Sequence, residues 1–280
     1  MFKIVRKEIL NPTTTLMEVS APYVAKKAEA GQFIILRVNE CGERIPLTIA
    51  DYDRENGTVT IIFQVVGATT MLLNTLQEGD EILDFVGPLG KPTHTEGYKK
   101  VCVVGGGVGC AIAYPVAKKF HSLNADVTSI IGFRNKDLVI LEDKFSSVSN
   151  ELILLTDDGS KGKKGLVTNA LEELINEGNQ FDLVIAIGPL VMMKYVVEVT
   201  KKYNIKTVVS MNPIMIDGTG MCGGCRLTVD GKMKFACVDG PEFDGFLVDF
   251  DEAILRNKTY KKQEEFSCNL MKKEVMWYGF

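Results

Sequence analysis

Three cysteines within sixteen residues, Cys222, Cys225 and Cys237 at C-x2-C-x11-C spacing, are the side chains of this chain best suited to chemistry. Clustered thiolates hold zinc, hold an iron–sulfur centre or act as a redox dithiol. Zinc ribbons pair two C-x2-C knuckles, and only one is present here. A redox C-x-x-C opens a helix, whereas "CRLTVDGKMKFAC" reads as a hairpin turning at Asp230 and Gly231. The C-x4-C-x2-C spacing of many 2Fe–2S loops, counted back from Cys222, lands on Asp217, so the whole pattern is D-x4-C-x2-C-x11-C. A carboxylate can ligate iron and is harder than a thiolate. The other reading of Asp217 is the first half of an Asp-Gly turn, with Cys268 then the first candidate for a fourth ligand.

A second constellation lies in "VCVVGGGVGCAIAYPVAKKF", where a strand runs into Gly105, Gly106, Gly107, Val108 and Gly109 and a helix opens around Ala111. Glycines there let the backbone approach a pyrophosphate, and the free amides and dipole of the helix start favour its charge. The spacing is not the regular G-x-G-x-x-G, and no Lys-Ser/Thr follows, so phosphoryl-transfer chemistry is disfavoured. Arg134 and Lys136 follow the second strand and could hold a ribose 2′-phosphate; Asp157 and Glu142 could accept from ribose hydroxyls. NAD(H) is the favoured nucleotide, with NADP(H) kept open. The two histidines, His94 and His121, are far apart and support neither a zinc hydrolase nor a histidine-based triad.

The elements that must position these residues fall into four segments. Residues 1–97 carry short β-type runs such as "GTVTIIFQVV" between turn clusters such as "NPTTT" and "DRENG", the pattern of an antiparallel barrel. Residues 98–207 alternate buried Val/Ile/Leu strands with helices, the mark of a parallel sheet covered on both faces. Pro115 inside the first of those helices predicts a late first turn or a kink. Residues 208–251 form the glycine- and cysteine-bearing segment, and residues 252–280 a polar helix or extension that could meet a partner through Trp277 and Tyr278. The expected fold class is thus α/β plus all-β.

A formal net charge of -4, from 32 basic and 36 acidic residues, argues against nucleic acid or an anionic membrane as principal partner. The start lacks a signal-peptide core, no window approaches a membrane span, and seven cysteines make a poor disulfide framework; the expected compartment is the cytoplasm.

"GGGVGCAIAYP", with "AIGPLVMMK" some eighty residues later, resembles the ferredoxin-reductase superfamily, whose nucleotide domains carry GGG-x-G-x-A-x-x-P and then Cys-Gly-Pro-x-x-Met. Gly188, Pro189 and Met192 match the second motif, with Ile187 at its cysteine. The superfamily's barrel binds flavin through R-x-Y-S/T. Here "ERIPLTIAD" places Pro46, Leu47 and Thr48 on that motif, with Arg44 one residue before the expected arginine position. "IFQVVGATT" resembles the second flavin segment, which implies that Ile62, Phe63 and Gln64 lie along FAD and that Gly67, Thr69 and Thr70 serve its diphosphate.

In this order, barrel, nucleotide domain and cysteine segment resemble the electron-transfer subunits of dihydroorotate dehydrogenase. The chain is still more similar to the small subunits of NADH-dependent reduced ferredoxin:NADP oxidoreductases, whose 2Fe–2S cluster has one aspartate and three cysteine ligands. The resemblance implies FAD, NAD(H) and a 2Fe–2S cluster on Asp217, Cys222, Cys225 and Cys237. It also implies a large glutamate-synthase-like subunit carrying flavin and 4Fe–4S clusters, indirect exchange with ferredoxin, electron bifurcation, and no catalytic acid or base. The rival readings are a dihydroorotate dehydrogenase subunit, a redox sensor that does not turn over, and a zinc-stabilised module.

Overall fold

A computed structural model of the chain describes residues 1–278, with side chains described through residue 270; the side chains of Trp277 and Tyr278 lie outside the described residues. Seven strands make the first sheet: β1 (Phe2–Asn11), β2 (Thr14–Ser20), β3 (Phe33–Arg37), β4 (Ile45–Asp53), β5 (Thr58–Gln64), β6 (Glu81–Ile82) and β7 (Asp84–Leu89). Their order is β6-β1-β2-β5-β4-β3-β7, every pair antiparallel. The edge strands β6 and β7 are separated by Leu83 alone, whose N–H donates to Val38 O at 3.2 Å, so the sheet curls into a nearly closed barrel. The turn clusters read from sequence set its register: Asn11 Oδ1 accepts from Thr13 N, and Asp53 Oδ1 accepts from Glu55 N and Asn56 N, side-chain turns that reverse the chain between β1 and β2 and between β4 and β5.

The second sheet is β8 (Lys100–Gly106), β9 (Asp126–Phe133), β10 (Glu151–Thr156), β11 (Lys163–Lys164), β12 (Leu183–Ile187), β13 (Thr207–Ser210) and β16 (Glu242–Asp244); between the last two run β14 (Arg226–Val229) and β15 (Lys232–Phe235), a separate hairpin. The order β11-β10-β9-β8-β12-β13-β16 is parallel except for β16. Chain direction across the sheet reverses between β8 and β12, the switch point at which open α/β sheets bind ligands beyond the strands' carboxyl ends. Pro115 lies within a continuous helix, Cys110–Ser122, that follows a tight turn over Gly107–Gly109. The chain tail is helical over Lys261–Tyr278, and among the described residues no helix is long and apolar enough to cross a membrane.

The barrel packs on the rest through two apolar clusters. Leu16, Ala50 and Ile62 join the core under the helix Cys110–Ser122, where Lys118 Nζ meets Asp51 Oδ1 at 2.7 Å. Phe33 and Ile35 join the core beneath the cysteine segment, with Met211, Met215, Cys225 and Cys237. At that second junction Thr93 Oγ1 donates to Glu242 Oε1 at 2.6 Å, and burial pushes the Glu242 carboxyl up to about 7 from 4.5. The folded chain therefore holds a proton that the unfolded chain releases, and stability falls as pH rises from about 4.5 to 7. Glu242→Gln keeps an oxygen for Thr93 without the charge. It is expected to flatten that fall and to stabilise the chain by about 1–3 kcal/mol above pH 7, read from melting temperatures at pH 5 and 8.

Candidate functional site

A cleft of about 580 Å³ opens at the switch point, large enough for a nucleotide. Its walls bring together Gly106 at the end of β8 and Gly107, Val108 and Gly109 after it, Gly188, Pro189 and Met192 after β12, Arg134 after β9, Asp157 after β10, and Gln64 from the barrel. Gly105, the first of the residues read in the glycine loop, sits inside β8 beside Cys110 rather than on the wall. The two loops interlock: a Cβ on Gly109 would lie 2.6 Å from Ile187 O, and one on Gly188 3.2 Å from Gly106 Cα.

Three helices begin at this cleft. The turn at Gly107–Gly109 leads into Cys110–Ser122, Leu190–Lys202 follows Pro189, and Val167–Asn176 contributes Leu166, Val167 and Thr168. None has an acidic residue in its first turn or a capping side chain. Their free amides and dipoles leave the cleft positive without requiring lysines, which suits a pyrophosphate. A helix over about Val167 to Glu177 is legible in the sequence, but that Leu166, Val167 and Thr168 reach the cleft is not, nor are Tyr195, Ser210 and Asn212. An uncapped, acid-free start at Val167 was the available signal. Lys136 is off the wall, its N–H bonded to Ser160 Oγ, and Glu142 is paired with Lys161.

Around the flavin-motif strand, Pro46, Leu47 and Thr48 lie on β4, Thr48 facing Phe33 across the β3–β4 pair. Arg44 is exposed just before β4 and has no carboxylate partner among the described residues. Thr69 Oγ1 donates to Glu43 Oε2 at 3.4 Å, linking the two segments read as flavin-binding. Ile62 and Gln64 point outward from the barrel while Phe63 turns into its core, because successive residues of a strand face opposite ways. Phe63 can therefore offer a ligand on the outer face only its backbone. Thr70 Oγ1 accepts from Val66 N and Gly67 N, so the hydroxyl and the Gly67 amide read as diphosphate contacts are engaged with each other at the start of the helix Ala68–Thr75.

The third group lies on the opposite flank of the same strands. A Cβ on Gly218 would meet Leu89 Cδ1 at 2.7 Å and Ile35 Cγ1 at 2.9 Å, so the cysteine loop rests directly on β3 and β7. The β14–β15 hairpin turns at Asp230 and Gly231, both at positive φ, and its closure sets Cys225 against Cys237 with sulfurs 3.2 Å apart. Both are buried, and burial pushes the Cys237 thiol up to about 12. Cys222 is exposed; its N–H donates to Asp217 Oδ2 at 2.7 Å, while Thr219 N donates to Oδ1 at 3.0 Å. Those amides hold the Asp217 carboxyl below the usual carboxylate range.

Among the described residues no three such side chains converge at metal-binding distance. The donor set nonetheless fits a two-iron centre: Cys225 sits beside Cys237, Cys222 beside Asp217, and each carboxylate oxygen, bonded once, keeps a lone pair. Cys268, the other candidate for a fourth ligand, has its sulfur 3.6 Å from Val66 O on the β5 flank. Cys102 and Cys110 are core residues whose thiols burial pushes up.

The iron–sulfur cluster binding domain of dihydroorotate dehydrogenase B matches residues 212–249. A Thermotoga maritima protein described as a homolog of the dihydroorotate dehydrogenase B (NAD(+)) electron transfer subunit is 49% identical over 249 residues, 89% of this chain and 88% of its own. This chain belongs to the dihydroorotate dehydrogenase B electron-transfer-subunit family. A Clostridium beijerinckii protein described as an uncharacterized protein in the adh 3′ region is 52% identical over 272 residues, covering 94% of this chain and 92% of its own. A solved chain of NADH-dependent reduced ferredoxin-NADP oxidoreductase, a structure bearing on flavin-based electron bifurcation, is similar to it with a TM-score of 0.91 and 45% identity, covering 95% of this chain and 96% of that one. Family membership makes the chain an oxidoreductase subunit that works with a catalytic partner.

Proposed function

We propose that this chain moves electrons between NAD(H) and a catalytic subunit by way of FAD and a 2Fe–2S cluster. One observation carries the reading: β4, bearing Thr48, lies between β5, whose Gln64 lines the nucleotide cleft, and β3, whose Ile35 supports the cysteine loop. At about 4.8 Å per strand the two flanks are about 10 Å apart, so a flavin on β4 is within reach of both. Bound FAD supplies hydride exchange with nicotinamide and single-electron exchange with iron. The protein's part is to bind and orient. The interlocked loops after β8 and β12 would hold the pyrophosphate by backbone amides, Gln64 and Thr48 would bind the flavin from the barrel's outer face, and Asp217, Cys222, Cys225 and Cys237 would hold the cluster. No side chain in the cleft is needed to move a proton.

The similarity over nearly the whole length to the NADH-dependent reduced ferredoxin-NADP oxidoreductase chain, with Asp217 in place of a first cysteine, favours a large glutamate-synthase-like partner with flavin and 4Fe–4S clusters, in a cytoplasmic bifurcating complex. The named Thermotoga relative favours a dihydroorotate-oxidising partner instead. Anaerobic purification decides between them: co-purification of a flavoprotein with which NADH and reduced ferredoxin together reduce NADP supports the first, and NAD reduction by dihydroorotate the second. Neither activity, with no FAD or acid-labile sulfide bound, would remove both.

Asp157 bears on the choice of nucleotide. Its exposed carboxylate on the cleft wall can accept from a ribose hydroxyl and repels a 2′-phosphate, while Arg134 on the same wall has no carboxylate partner among the described residues. Asp157→Ser is expected to narrow the preference for NADH over NADPH about tenfold, about 1.4 kcal/mol, measured as the ratio of kcat/KM values with a dye acceptor.

A further inference from the structure

Beside the cysteine loop, and built partly on the segments after β12 and β13 that also border the nucleotide cleft, a second pocket of about 150 Å³ has an apolar floor that includes Leu190, Ile214 and Leu227 and a rim that carries Arg226, Arg256 and Tyr260. It is well below the roughly 300–1,000 Å³ of small-molecule sites, a size suited to one side chain rather than a coenzyme. Both arginines are without a carboxylate among the described residues, because the acidic groups around them are committed elsewhere. Asp249 Oδ1 accepts from Glu252 N at 2.9 Å, Glu252 Oε2 from Thr228 N at 3.0 Å, and Asp251 pairs with Lys194 at 2.7 Å. Arg226 uses one Nη1–H on Gly223 O at 2.9 Å, which ties the pocket to the loop between Cys222 and Cys225 and leaves most of its five donors free. Ile216 of the pocket lining is exposed (49%), as is Met221 (89%) in the adjoining cysteine loop. Two unpaired guanidinium groups over an apolar floor, bordered by exposed apolar side chains, have the anatomy of a receptor for an anionic anchor at a protein interface.

We propose that this pocket is the socket for a carboxylate-bearing side chain of the partner catalytic subunit, which Arg226 and Arg256 grip while docking brings the partner against the cysteine loop. The proposal rests on the electron-transfer reading above. Exposed Cys222 marks the face an electron must cross, and a partner seated there covers the apolar apron and neutralises both arginines at once.

The test is the dissociation constant between purified holo-subunit and catalytic subunit, wild type against Arg256→Glu and Arg256→Lys. Arg256 closes the short helix Phe250–Arg256 and touches neither the cleft nor the cysteines, so FAD, iron content and NADH–dye turnover stay at wild-type values. Charge reversal at a desolvated ion pair is expected to weaken association at least tenfold, and Arg256→Lys to weaken it less. An affinity for Arg256→Glu within twofold of wild type overturns the socket. So does loss of self-association of the isolated subunit with partner affinity unmoved, since the occupant is then a second copy of this chain. Failure of the wild-type subunit to bind any catalytic subunit removes the electron-transfer reading, and the socket with it.

Discussion

Gly109→Val abolishes measurable NADH binding, with affinity down at least 100-fold, and lowers stability by about 1–3 kcal/mol, while FAD content is unchanged. The expectation follows from space. Gly109 has φ −57, which any residue adopts, so no dihedral demands glycine there. A Cβ, however, would stand 2.6 Å from Ile187 O and 2.7 Å from Gly188 Cα, and both are backbone atoms that no rotamer change can clear. The turn before the helix Cys110–Ser122 must then separate from the loop after β12, and those two loops are the cleft walls proposed to hold the pyrophosphate. Gly107 is the control. Its φ of +56 disfavours a side chain, but nothing lies within 4 Å of its Cβ position, so Gly107→Asn costs about 1 kcal/mol or less in stability. Thermal melts and NADH titration of the FAD-loaded proteins read both variants. Binding by Gly109→Val within threefold of wild type means that the glycine loop is not the pyrophosphate site.

What the sequence made legible is what neighbouring residues decide. Gly105 to Gly109 follow a strand and open a helix, so local steric freedom and helix-end electrostatics point to a phosphate before any tertiary contact is known. The Asp230-Gly231 hairpin is equally local: two residues at positive φ reverse the chain, and the reversal sets Cys225 beside Cys237. Leu166 to Thr168, Tyr195, Ser210 and Asn212 reach the cleft only because the order β10-β9-β8-β12-β13 aligns the carboxyl ends of strands far apart in the chain. Phe63 shows a finer limit. The segment reads as a β run lying along a flavin, and the run is β5, yet the two-residue alternation sends Ile62 and Gln64 out and Phe63 in, and which parity faces out is fixed by the pairing of β5 with β2 and β4. Thr70 shows the competition between capping and ligand binding, since its hydroxyl satisfies Val66 and Gly67 amides that a helix start would otherwise leave open. Cys268 was a reasonable ligand by residue type, and only the path of the chain sets it at Val66.

Asp217→Asn is the variant that separates the two roles the carboxylate can hold. Asp217 accepts from Thr219 N and Cys222 N, and those bonds shape the loop whether or not iron is present. Asp217→Ala removes the acceptors and the charge together, so iron lost from it could reflect a collapsed loop as readily as a missing ligand. Asparagine keeps one oxygen for an amide and loses the charge that the two amides stabilise. Asp217→Cys supplies a softer anionic donor at the first position of the D-x4-C-x2-C spacing and is expected to retain about two irons per chain with a red-shifted spectrum and an altered potential. If the carboxylate is a ligand, both Asp217→Asn and Asp217→Ala lose at least half of their iron and acid-labile sulfide during anaerobic desalting, and Asp217→Cys does not. The loop role alone predicts a different order. Asparagine, which still accepts an amide hydrogen bond, then retains iron and the wild-type spectrum, and only alanine is labile. Full iron in Asp217→Asn with an unchanged spectrum would therefore leave Asp217 as a loop-shaping residue, and the fourth position would have to be filled by a group outside this loop. Cys268 is a poor substitute for it, because reaching the cysteine loop would require the helix Lys261–Tyr278 to leave the β5 flank.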